Sequence, residues 1–396
     1  MEVVRKLKSS SMKKIYTISL IIMLAAISCT NHESTNADQY QIYLQVNSED
    51  NSSPALKSPY ISEIPSINKP LSVKVLASTT SYSYQNTGAD GTDGTVAVHS
   101  DATFTSGEKQ LLSGALYPSL EINGQKTYPP VYFSALHPNK PDQSKQWEIS
   151  ETSVDDTKSF KASYTFEGYE DLMFAPQTTG AYSPEGTAEK DKITPTLVFK
   201  HILTYIKLHI YAENEDVANA WGEIRSITIR NSSDMGDGSN KAIIDLSTPL
   251  PSEYKDLSGC GIVEFQPVPG YVSTFYATGT DEEFLHSGSY SLLQDRQTYV
   301  PIEVAYTMMA PVNAILVDKE NASIYIPEFE IDITTSNRNI TVDVDLMKNT
   351  TERYFGSTMG KKFDITLKFT MGNTVAAQAK VTSWLTGGIG VGDFNE

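Results

Sequence analysis

The feature that most constrains this chain is a recurring two-residue alternation of apolar and polar side chains. Ile340, Val342, Val344 and Leu346 alternate with Thr341, Asp343 and Asp345, and Phe363, Ile365, Leu367 and Phe369 with Asp364, Thr366 and Lys368. Successive side chains of a strand point to opposite faces, so this pattern predicts strands with one face in a core. Tyr40, Ile42, Leu44 and Val46 start the series, and Leu71 to Ala77 continue it. Val131 to Leu136 read as a buried strand. Ile202, Ile206, Leu208 and Ile210 line one face of a single long strand at the heart of an N-terminal domain, with His201, Tyr205, Lys207 and His209 on the other. That register makes Ile206 and Leu208 costly to truncate and Lys207 cheap. Turn-rich stretches such as 88–94 and 232–240 separate the runs. Only Glu213 to Trp221 reads as briefly helical. Many short strands between turns indicate an all-β chain of antiparallel sandwiches rather than a parallel α/β sheet. No internal repeat at a fixed period is visible.

The N-terminus has a different character. Lys13 and Lys14 precede thirteen mostly apolar residues, Ile15 to Ile27, a run of signal-peptide length and short for a bilayer span. It ends at Ala26-Ile27-Ser28-Cys29. Small residues before a cysteine suit a lipoprotein signal peptidase, and Cys29 is then the lipidated residue. An ordinary secretory signal that happens to end near a cysteine is the alternative. Met12 is a better start than Met1. Residues 1–28 are thus read as signal peptide and 29–39 as a polar tether.

Loss of residues 1–28 removes five positive charges and one negative charge, taking the net charge from −17 to −21. So acidic a body is repelled by nucleic acid and by anionic headgroups, which excludes nucleic acid as a partner. With Cys29 lipidated, Cys260 is the one thiol left and no intrachain disulfide can form. The remaining chain is too long for one small core and fits two domains, 40–215 and 216–396, divided at the helical stretch. No later segment has the length of uninterrupted apolar sequence that a membrane helix needs.

Motifs for chemistry are missing. The chain has no G-x-S-x-G, no phosphate-binding loop, no dinucleotide fingerprint and no H-E-x-x-H. His201 and His209 on one strand stand roughly 26 Å apart and cannot share a metal. Asp90 to Gly94 and Asp234 to Gly238 lack calcium-loop spacing and read as hairpin turns. No catalytic residue, metal ligand or cofactor is assigned. Exposed tyrosines, including Tyr82, Tyr84, Tyr164, Tyr169 and Tyr182, offer a carbohydrate-stacking platform, against which stands their ordinary use in cross-strand packing.

Four stretches, in order, resemble the fimbrillin family, lipoprotein-derived subunits of type V pili that include the Mfa-like proteins. They are VYFSALHP (131–138), DLMFA (171–175), LVFKHILTYIKLHI (197–210), and the ending KKFDITLKF (361–369) with VTSWLTGG (381–388). The resemblance implies two transthyretin-like β-sandwich domains and no enzyme activity. It implies a fimbrial subunit on the outer membrane or cell surface, whose partners are other pilin subunits, the membrane through its lipid, and a host or bacterial receptor. His201 and Trp384 are framework residues in that comparison. Shaft subunits of the family are matured after an arginine in the loop following the first strand. This chain has no arginine between Arg5 and Arg225, so Lys57 and Lys69 are the candidate maturation residues in that loop. A surface glycan-binding lipoprotein is the rival reading.

Overall fold

A computed structural model of the chain describes residues 41–48, 71–79, 100–104, 109–116, 120–122, 125–127, 130–139, 146–154, 157–178, 194–231, 239–249, 262–268, 271–277, 290–294, 299–314, 329–346, 356–372 and 374–383. The chain divides into two compact units, Met1–Gln41 and Ile42–Glu396, and the fold below is that of the second.

Among the described residues it is all-β apart from one short helix. A seven-stranded sheet has the order β3 (Ser100–Phe104), β2 (Leu71–Ser78), β7 (Tyr132–His137), β10 (Met173–Ala175), β11 (Thr196–His201), β1 (Gln41–Ser48), β4 (Lys109–Leu116). A four-stranded sheet runs β15 (Val263–Pro267), β14 (Ser239–Asp245), β9 (Thr157–Thr165), β8 (Glu148–Val154). A five-stranded sheet runs β17 (Tyr276–Ala277), β19 (Ile302–Met309), β12 (Thr204–Ala212), β24 (Lys361–Phe369), β25 (Val375–Ser383). Opposite it lies β16 (Ser273–Thr274), β13 (Glu223–Asn231), β21 (Phe329–Thr335), β22 (Asn339–Val344), with β18 (Tyr290–Ser291) also on β13. Two ribbons, β5 (Leu120–Ile122) with β6 (Gln125–Thr127) and β20 (Asn313–Ala314) with β23 (Gly356–Ser357), complete the set.

Alternation explains the packing. Along β24 the apolar residues Phe363, Ile365, Leu367 and Phe369 are all buried while Asp364, Thr366 and Lys368 are half-buried. With Ile206, Leu208 and Ile210 of β12 they meet Ile227, Ile229, Ile331 and Ile333 in one core, so the two five-strand-wide layers form a sandwich. Phe329 and Phe363 cross that core edge to face, with centroids 6.1 Å apart. A second core packs Leu76, Leu136 and Phe174 of the seven-stranded sheet against Phe160, Tyr164 and Ile244 of the four-stranded one. A third, on the other face of the seven-stranded sheet, gathers Leu44, Val73, Phe133, Met173, Leu197 and Phe199. Val131 to Leu136 are buried on both faces except Tyr132, as a continuous apolar run predicts.

Three expectations change. First, residues 197–210 form two strands in two sheets, because the chain turns at Ile202 and Leu203. The buried parity switches there, from Leu197 and Phe199 to Ile206, Leu208 and Ile210, and Ile202 and Leu203 are both wholly buried. Two adjacent buried residues cannot lie on one face of one strand. β12 consequently runs between β19 and β24, strands from much later in the chain, rather than at the heart of an N-terminal sheet. In the same way β14 pairs with β9. Second, the sheets are not wholly antiparallel: β1 with β11 and β12 with β24 are parallel. Third, Lys207 is buried, 4% exposed.

The helix α1 (Glu215–Trp221) is shorter than the expected stretch. Asn214 caps it, its side chain accepting from the Val217 amide at 3.0 Å, and Gly222 ends it at φ 76°. Trp221 anchors it, donating through Nε1 to the Thr370 carbonyl at 2.9 Å and packing edge to face on Phe369.

Candidate functional site

The first strand lies in a seat built from strands distant from it in sequence. β1 lies between β11 and β4, away from β2, its neighbour in sequence. Gln45 to Ser48 run parallel to Thr196 to Phe199, and the Gln45 amide donates to the Pro195 carbonyl at 2.9 Å. Leu44 is fully buried among Val73, Val75, Phe133, Ala135, Met173, Leu197 and Phe199. β11 pairs on its other side with β10 at Met173↔His201 and Phe174↔Lys200. Withdrawal of β1 would open a β11 edge and expose the seat of Leu44.

Three polar clusters tie strands together. His201 Nδ1 lies 2.8 Å from Asp171 Oδ1, and the Asp171 side chain is 0% exposed. Lys207 Nζ donates to Glu303 Oε2 at 2.8 Å, with His209 Nε2 3.8 Å from the same oxygen. Arg230 clasps Glu330 at 2.7 Å and Asp332 at 2.6 Å, joining β13 to β21. The hydrogen bond that Arg230 donates to Glu330 is the largest influence raising the Arg230 pKa, opposed by burial. Burial is what chiefly raises the pKa of the Tyr271 hydroxyl. Among the described residues no group of three or more histidine, cysteine or acidic side chains is placed to hold a metal ion.

Cys29, Lys57, Lys69, Cys260, Trp384, Tyr82, Tyr84, Tyr182 and both Asp-Gly stretches lie outside the described residues. Tyr164 is a core residue, 2% exposed and 5.3 Å from the Trp147 ring, so it does not serve a stacking platform. Tyr169 is half-buried against Tyr276, with centroids 5.4 Å apart. His201 and His209 stand in different sheets. The cluster of Lys207, Glu303 and His209 escaped sequence reasoning because Glu303 is 96 residues from Lys207. A β-bulge between Leu208 and His209 sets its register, which no periodicity reveals.

No family model matches the chain, and no curated protein matches it. The solved structures to which it is similar include fimbrial proteins. A fimbrial protein from Bacteroides vulgatus is 15% identical at a TM-score of 0.44, over 88% of this chain and 100% of that one. The fimbrial anchor protein Mfa2 from Porphyromonas gingivalis is 9% identical at a TM-score of 0.37, over 88% and 99% of the two chains. The tip fimbrial protein Mfa3 from Porphyromonas gingivalis, with a C-terminal truncation, is 11% identical at a TM-score of 0.30, over 87% and 100%.

Proposed function

We propose that this chain is a non-enzymatic structural or adhesive subunit of a cell-surface fimbria. It is exported as a lipoprotein, anchored in the outer membrane through Cys29, and partnered by other pilin subunits. Two sandwich domains make up its body, and its receptor is a host or bacterial surface.

The observation that carries the reading is the seat of β1. One short strand, with Leu44 fully buried, is inserted between β11 and β4. It is joined to β2 by the polar, Pro-containing residues 49–70. Cutting there, after Lys57 or Lys69, separates β1 from the body. A strand from another subunit then regains the main-chain hydrogen bonds along β11 and fills the Leu44 pocket by β-augmentation. The resemblance of 131–138, 171–175, 197–210, 361–369 and 381–388 to fimbrillins supports the same reading.

The test is limited digestion with a trypsin-like protease, followed by N-terminal mapping and sizing. Cleavage after Lys57 or Lys69 with loss of β1 and a ladder of oligomers is expected. A protein that stays monomeric after losing β1 would sink strand exchange. Retention on polysaccharide without association with pilins would favour the glycan-binding alternative.

A further inference from the structure

We propose that Lys207 and Glu303 form an intramolecular amide cross-link between β12 and β19. The proposal does not depend on the fimbrial reading. Lys207 lies on the central strand of its sheet with a side chain only 6% exposed, and Nζ is 2.8 Å from Glu303 Oε2. Tyr306 stands directly across from Lys207, and its ring packs edge to face on Tyr205 at 6.2 Å, walling the pair on the strand's N-terminal side. The bulge between Leu208 and His209 brings Glu303 opposite His209 while its carboxyl reaches back to Lys207. Asp364, the register partner of Lys207 on β24, is engaged by Lys362 at 3.5 Å.

The ammonium, 6% exposed, and the carboxylate, 21% exposed, each lose part of their hydration, which their mutual attraction only partly returns. Proton transfer within the pair gives a neutral amine and a carboxylic acid, the forms that react. The amine nitrogen attacks the Glu303 carboxyl carbon, forming the C–N bond. The C–O bond to the hydroxyl breaks, and the hydroxyl leaves as water. His209, 3.8 Å from the same carboxyl oxygen, relays the proton from nitrogen to the departing oxygen. Two charges vanish together, one water is released, and no oxidant or other co-reactant takes part. The product closes a loop of 96 residues. It does for this chain what a disulfide does elsewhere, where Cys260 has no cysteine partner once Cys29 is lipidated.

The experiment is mass spectrometry of the purified full chain, denatured and digested. A branched peptide joining the segments that carry Lys207 and Glu303, lighter by one water than the two together, is the expected result. Lys207→Arg and Glu303→Ala abolish it, and His209→Phe slows its appearance after refolding. Two separate peptides of full mass from the wild-type protein would overturn the proposal, whatever the variants do. A cross-link that forms as fast in His209→Phe would overturn the part given to His209.

Discussion

Asp171 and His201 meet 2.8 Å apart at the corner where the chain leaves the seven-stranded sheet for the five-stranded one. The carboxylate is wholly buried just ahead of β10, and the imidazole closes β11. Leu172 accepts from the Ile202 amide at 3.0 Å beside them, so side chains and backbone hold the same corner. Asp171→Ala leaves a buried imidazole without this partner and should destabilise by about 1–3 kcal/mol in chemical denaturation. Asp171→Asn, which keeps the shape and an acceptor, should cost less. Equal loss from both would mean that charge, not the hydrogen bond, holds the corner.

On β12, Ile206→Ala and Leu208→Ala should each cost about 2–5 kcal/mol, since both are fully buried in the sandwich core. Lys207→Ala is not the harmless change that its polar character suggests. It removes a buried stem and strands Glu303, whose 21% exposure to water moderates the effect. In a chain that carries no cross-link a loss of about 1–3 kcal/mol is expected, the cost of leaving a polar partner unsatisfied, and a cross-linked chain loses in addition what closure of the loop contributes. Denaturant midpoints of the three variants check the ordering.

Gly222 ends α1 at φ 76°, and a Cβ there would overlap the Ser336 hydroxyl. Gly222→Ala should therefore cost about 1–3 kcal/mol from backbone strain alone. Asn214→Ala at the other end should cost about 0.5–2 kcal/mol through the lost cap. Thermal melts that rank Asn214→Ala well above Gly222→Ala would contradict this reading of the helix.

Leu44→Ala should loosen β1 before the rest of the fold. The side chain is fully buried, so about 2–5 kcal/mol is lost locally. Amide hydrogen exchange should show Gln45 to Ser48 and their β11 partners losing protection while β24 keeps its own. Uniform loss across both sheets would show that β1 is not an independently removable strand.

Cys29→Ala should abolish labelling by a fatty-acid analogue in cells, while Cys260→Ala leaves it intact. Labelling that survives at full strength in Cys29→Ala would end the lipoprotein assignment.

Much of this molecule can be read from residue order, because a strand converts a period of two directly into a buried and an exposed face. That is why β22 and β24 lie where the alternation predicts, while β7 lies where a continuous apolar run does. The all-β class and the helix before Trp221 follow from equally local signals. Sheet membership is another matter. Leu197 to Ile210 carry one apolar pattern with a single phase shift, and only the tertiary pairing turned that shift into a change of sheet. Hydrophobic alternation states that a face is buried and is silent about what buries it. Strand neighbours 96 residues apart are chosen by closure of the whole sheet, so Lys207 found Glu303 only in three dimensions. The same holds for the parallel seat of β1 on β11. Its apolar residues are plain in the sequence, but the strand they lie along, Thr196 to Phe199, comes more than a hundred residues later.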